Sequence, residues 1–150
     1  MKKAIYFDMD GTIANLYAVE NWLPMLRKNN ATPYRTAKAM INMSAFAKLL
    51  NSLQKQGYHI GVVSWLSKES NVNFDRQVEK AKFEWLYKHL PSVEFNEIKI
   101  IKYGTPKSKA VKYGGGILFD DEQGNRNEWQ GQAYDEKNIL EILKKLSKNA

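Results

Sequence analysis

A short apolar run, Ala4-Ile5-Tyr6-Phe7, ends abruptly in two acids, Asp8 and Asp10, with Gly11 and Thr12 directly behind them. Continuous apolar character predicts a buried β-strand, here over about residues 3–9. Gly11 allows a sharp turn after it. Two carboxylates therefore leave one strand end two positions apart. Held close, they repel, and one pKa rises unless something compensates. A divalent cation is the usual remedy, and Mg²⁺ takes hard oxygen ligands from one or two carboxylates plus substrate phosphate. On these residues alone, a plain turn capped by Asp8 and Asp10 is an equally good reading.

The remainder of the chain places further polar groups at strand ends. Residues 18–57 read as helical but interrupted, with Pro24, Pro33 and Asn29-Asn30 as breaks. The last helix of that stretch spans about 44–56, opens at Ser44 as N-cap and stops at Gly57. A second strand, His59-Ile60-Gly61-Val62-Val63, ends at Ser64. A helix over about 74–90 carries Phe74, Val78, Ala81 and Trp85 on one stripe and ends before Pro91. Strands follow at about 98–102 and at Ile117-Leu118-Phe119, the latter ending in Asp120 and Asp121. Between them, residues 105–112 form a turn and a short helix that carries Lys107 and Lys109. Gln132-Ala133-Tyr134 reads as an edge strand and 136–147 as a final helix. Strands alternating with helices predict a parallel sheet covered on both faces. Ligands bind such sheets beyond the carboxyl ends of the strands. Four acids, one hydroxyl and one ammonium would then meet at one rim.

Size and composition are compatible with this. A chain of 150 residues is read as one domain. It has no cysteine, so no disulfide and no thiolate metal site, which is compatible with a reducing cytoplasm. No membrane span and no signal peptide are expected. The net charge of +7 is spread over both halves and favours anionic ligands. Neither histidine, His59 nor His89, is placed to support a competing mechanism.

Tyr6-Phe7-Asp8-Met9-Asp10-Gly11-Thr12, Ile60-Gly61-Val62-Val63-Ser64, a lysine at Lys107 or Lys109, and Ile117-Leu118-Phe119-Asp120-Asp121 resemble, in order, the four motifs of the haloacid dehalogenase (HAD) superfamily of phosphohydrolases. The resemblance implies an α/β, HAD-like Rossmannoid three-layer fold with a parallel sheet and a small helical cap at about 15–43. It implies a Mg²⁺-dependent phosphomonoesterase. Asp8 would be the nucleophile and Asp10 the general acid and base. Asp8, Asp10 (through its carbonyl), Asp120 and Asp121 would surround the metal. Ser64 and the lysine would hold the phosphoryl group, with Lys107 preferred to Lys109. Gly11, Thr12 and Trp65 join the expected substrate contacts.

Within the superfamily, chain length and the small cap are loosely similar to the 5′(3′)-deoxyribonucleotidase branch. That implies a nucleotide or another small phosphorylated metabolite as substrate. Tyr17, Trp22 and Trp65 could stack on a base, although ordinary core or cap packing explains Trp22 and Trp65 more readily. Trp129, in a polar stretch over 125–130, either rims the site or packs on the sheet edge. Two other readings stand beside this one. The basic charge suggests a phosphatase of nucleic-acid ends. The gathered acids also suggest a non-catalytic phosphate-binding domain or a receiver-like signalling domain, although the acid pair on the first strand argues against this reading.

Overall fold

The computed structural model describes residues 3–148. In chain order the elements are β1 (Ala4–Phe7), β2 (Ala14–Asn15), a 3-10 turn (Leu16–Ala18), α1 (Trp22–Arg27), α2 (Thr32–Thr36) and β3 (Lys38–Ala39). There follow α3 (Met43–Lys55), β4 (His59–Trp65), α4 (Val72–His89), β5 (Glu97–Ile101) and α5 (Lys107–Ala110). The chain closes with β6 (Ile117–Phe119), α6 (Gln123–Glu128), β7 (Ala133–Tyr134), a second 3-10 turn and α7 (Ile139–Lys148).

Five strands form one parallel sheet in the order β5-β4-β1-β6-β7. All four residues of β1 are buried, as its apolar run predicts for a central strand. Its side chains alternate between two layers. Ile5 and Phe7 join α3 and α7 residues, among them Phe46, Leu50 and Leu143. Phe7 stacks on Phe119 at 5.2 Å between ring centres and meets Phe46 edge-on at 5.0 Å. Ala4 and Tyr6 face the other way, toward Leu118 and Trp129. The indole of Trp129 donates to the Gly116 carbonyl at 2.8 Å, so this residue packs beneath the sheet edge and does not rim a site. Trp85 is a core residue and donates to the Ala37 carbonyl.

Among the sheet strands the first lies in the middle, the next two on one side and the last two on the other. This is the Rossmann-like order, whereas receiver-type sheets run second-first-third. The topology therefore overturns the receiver form of the non-catalytic reading. It also puts the switch point between β1 and β6, where a crevice opens beyond the strand ends.

Local chemistry shifts several boundaries. The cap of α3 is Asn42, not Ser44: its Oδ1 accepts from the Ala45 amide at 3.0 Å, so the helix starts a residue earlier than expected. At the other end Gly57, at φ +96°, closes the helix in a Schellman motif, with Tyr58 N donating to the Leu53 carbonyl. Asn71 caps α4 through the Phe74 amide and starts it ahead of the apolar stripe. The stretch expected as a polar loop over 125–130 instead contains the end of α6, which has no apolar periodicity. Side-chain bonds described below hold it.

Residues 16–37 leave the fold and return through the antiparallel ribbon β2/β3, where Ala14 pairs with Ala39 and Asn15 with Lys38. Leu26 and Tyr34 of this excursion pack on Phe74, Val78 and Ala81 of α4. Among the described residues, no helix is long and apolar enough to cross a membrane.

Candidate active site

The turn after β1 aims the acids. The Met9 carbonyl accepts from the amides of Thr12, Ile13 and Ala14, and its side chain is buried beneath the turn. Gly11 sits at φ +81°, and a Cβ there would collide with the Asp121 carboxylate and the Tyr17 ring. Glycine is thus required by both backbone conformation and space.

Asp8 and Asp120, from the adjacent strands β1 and β6, share one cation. Lys107 Nζ donates to Asp8 Oδ1 at 3.0 Å and to Asp120 Oδ2 at 2.7 Å. The three residues are almost wholly buried. Burial alone would discharge the ammonium, but the two facing carboxylates outweigh that and hold its pKa above the usual lysine range. Lys107 opens α5, and the next residue, Ser108, is tied to Glu128 of α6 through its hydroxyl. Lys109 is exposed and stands apart from the cluster.

Asp121 completes an acidic trio: Asp8, Asp120 and Asp121 each bring a carboxylate oxygen within 4.8 Å of the others. Burial raises the Asp121 pKa to about 8, reinforced by repulsion from Asp8. Burial followed by the Asp8 charge raises Asp120 to about 6, against the pull of Lys107. Thr12, expected beside a substrate, is fully buried and its hydroxyl lies 3.1 Å from Asp8 Oδ2 and 3.2 Å from Asp121 Oδ1. It orders the acids.

A second cluster lies beside the first. Asp10 meets Lys82 of α4, whose Nζ donates to Asp10 Oδ2 at 2.9 Å, Ser64 Oγ at 2.7 Å and the Trp65 carbonyl at 2.6 Å. Burial pushes the Asp10 carboxyl above its usual pKa; Lys82 opposes this and Asp8 adds to it. Ser64, expected to touch a phosphoryl oxygen, is fully buried and engaged by Lys82.

Three participants escape motif reading. Lys82 occupies the apolar stripe of α4, four positions after Val78 and three before Trp85. A lysine at such a position is the available signal. Asn125 donates to Asp120 Oδ2 at 3.1 Å, and Arg126 donates to the Asp120 carbonyl at 2.9 Å. These two have no pattern signal, because α6 is ordered by the site and not by an apolar face.

A cavity of about 330 Å³ opens over the clusters. Asp8, Asp10 and Lys107 lie on its floor, with Tyr17, Trp22, Tyr34, Trp65 and Tyr103 around it. Tyr17 and Trp22 meet edge-on at 5.0 Å, and Trp65 lies 4.8 Å from Tyr103. Trp65 also donates to the Thr105 carbonyl and lies 5.4 Å from the Lys107 ammonium. His59 pairs with Glu97 at the opposite end of β4, remote from this crevice.

No family model matches the chain, and no curated protein matches it. Solved structures do. D,D-heptose 1,7-bisphosphate phosphatase from Burkholderia thailandensis aligns with a TM-score of 0.60 at 12% identity, covering 97% of this chain and 98% of that one. The D,D-heptose 1,7-bisphosphate phosphatase from B. bronchiseptica, complexed with magnesium and phosphate, aligns with a TM-score of 0.62 at 12% identity over 99% of both chains. The chain thus has the α/β fold of these phosphatases. Neither is a deoxyribonucleotidase, so they lend no support to that narrower resemblance.

Proposed function

We propose that this protein is a Mg²⁺-dependent phosphomonoesterase of the HAD type that works through an aspartyl-phosphate on Asp8. The observation that carries this reading is the buried Asp8–Lys107–Asp120 cluster, with Asp121 beside it, at the carboxyl ends of the two central strands.

The donor set fits the metal. Three carboxylates gather around one ammonium, and burial, with repulsion from Asp8 added, raises the pKa of both Asp120 and Asp121. Oxygen-only ligands suit Mg²⁺. Asp8, Asp120, Asp121 and the Asp10 carbonyl would hold it; bound there, Mg²⁺ would neutralise and orient a phosphoryl group.

Lys107, hydrogen-bonded to Asp8, holds the nucleophile in place and presents positive charge to the same phosphoryl oxygens. An Asp8 oxygen bonds to phosphorus as the ester P–O bond breaks. Asp10 gives its proton to the leaving oxygen. In the second step Asp10 takes a proton from water, whose oxygen attacks phosphorus. The bond to Asp8 then breaks and inorganic phosphate departs. The buried setting strengthens each of these charge interactions.

The substrate is proposed to be a small phosphorylated metabolite. The cap would be residues 16–37, the part between the ribbon strands, which places Tyr17, Trp22, Arg27 and Tyr34 over the cavity. Its aromatic walls favour a nucleoside monophosphate, whose base could stack at about 1–3 kcal/mol. A sugar phosphate, of the class named for the structural neighbours, is the second reading. The test is a Mg²⁺-dependent panel of 4-nitrophenyl phosphate, sugar mono- and bisphosphates, nucleoside monophosphates and end-phosphorylated oligonucleotides. The expected result is phosphate release from small esters, abolished by a chelator and restored by Mg²⁺. Chelator-insensitive release, or none, contradicts the proposal; preference for oligonucleotides shifts the substrate to nucleic-acid ends.

A further inference from the structure

We propose that Lys82 is a positioning residue that fixes the Asp10 carboxyl for proton transfer. This rests on the phosphomonoesterase reading above. A lysine ammonium has three N–H donors and no acceptor. At Lys82 all three are committed: to Ser64 Oγ, to the Trp65 carbonyl and to Asp10 Oδ2. The first two partners belong to β4. They anchor the nitrogen on the rigid sheet, and its remaining proton clamps Asp10, which otherwise stands on a turn. The Tyr34 ring, 4.9 Å from the ammonium, closes the excursion side. The side chain is fully buried.

The polarity of this clamp matters. Because Lys82 can only donate, it occupies Asp10 Oδ2 as an acceptor and leaves Oδ1 to carry the mobile proton. Asp10 lines the cavity and Lys82 does not. Lys82 therefore acts through Asp10. It is distinct from Lys107, which bonds Asp8 and Asp120.

A core lysine kept for packing alone would affect every substrate alike. A clamp on the general acid does not: a leaving group that departs as a stable anion needs little proton donation, whereas an alkoxide needs it fully. The experiment compares wild type with Lys82→Met on 4-nitrophenyl phosphate and on an alkyl phosphate such as glycerol 2-phosphate. For kcat/KM, which reports the phosphorylation step, the loss on the alkyl ester should exceed the loss on the nitrophenyl ester by at least about 10-fold, given that general acids supply about 10²–10⁴-fold. On the nitrophenyl ester kcat should fall more than kcat/KM, with a burst of nitrophenol, because the second step still needs Asp10 as base.

Lys82→Met leaves the partly buried Asp10 without its cation. A double variant, Asp10→Asn with Lys82→Met, removes both charges and keeps the question answerable if the single variant does not fold. Adding Lys82→Met to Asp10→Asn should then cost less than about 3-fold on either ester, since coupled residues are non-additive. Equal losses on both esters, or a further large loss in the double variant, overturn the clamp. Wild-type protein inactive on both esters overturns the phosphatase reading and the clamp with it.

Discussion

Asp8→Asn is expected to abolish phosphate release, by at least about 10⁴-fold, yet to leave the metal-free protein as stable as wild type or more so. The first half follows from the proposed chemistry, because an amide oxygen cannot replace a carboxylate nucleophile. The second follows from linkage. Burial raises Asp121 to a pKa of about 8 and Asp120 to about 6, and repulsion from Asp8 adds to both. A carboxyl whose folded pKa lies above its unfolded value favours the folded state fully below that unfolded value, and this contribution is lost as pH rises through the folded pKa. Metal-free wild type should therefore lose stability between about pH 4 and pH 8. Removing the Asp8 charge flattens that slope. Asparagine keeps the shape and still offers an oxygen to Lys107. Tm measured across this range with chelator, beside activity with Mg²⁺, checks both halves. Retained turnover would remove Asp8 as nucleophile; a steeper pH slope would refute the electrostatic account.

Lys107→Met acts in the opposite direction on stability. The wild-type ammonium bridges two buried carboxylates at 3.0 and 2.7 Å. Methionine fills similar volume but strands both acids, and breaking a buried pair in this way costs about 3–5 kcal/mol. Activity should fall by about 10³-fold or more, since the phosphoryl group loses its fixed positive partner. Mg²⁺ should restore part of the stability, because it binds only the folded site, but little of the activity. Lys109→Met is the control and should match wild type, being exposed and away from the cluster. Chemical denaturation with and without Mg²⁺ reads the first effect and steady-state kinetics the second. A mild Lys107→Met and a damaging Lys109→Met would reverse the assignment.

How much of this is legible in the sequence depends on what orders each part. The apolar runs Ala4–Phe7 and Ile117–Phe119 announce buried strands, and the acids after them mark the rim. Lys107 is legible from a turn that opens a helix, and the structure places it, not Lys109, between Asp8 and Asp120. Ser64 is correctly placed at a strand end, yet its hydroxyl is engaged by Lys82 instead of facing the cavity. The second cluster stayed hidden because Lys82 is separated from Asp10 by 72 positions and lies on an apolar helix stripe. Only the anomaly of a charge on that stripe points to it. The α6 helix was hidden for a different reason: Asn125 and Arg126 are bound to Asp120, so tertiary partners override weak local propensity. The Asn42 cap is a smaller miss at a boundary, where Asn42 and Ser44, two positions apart, are both good caps and geometry decides.

Acid-quench trapping would catch the phosphorylated nucleophile itself. Protein mixed with Mg²⁺ and a reactive phosphate monoester is stopped in acid, reduced with borohydride and mapped by mass spectrometry. A phosphoryl-derived mark is expected on Asp8, absent in Asp8→Asn and absent without Mg²⁺. A mark on another residue, or full turnover with none on Asp8, would contradict the role of Asp8 as nucleophile.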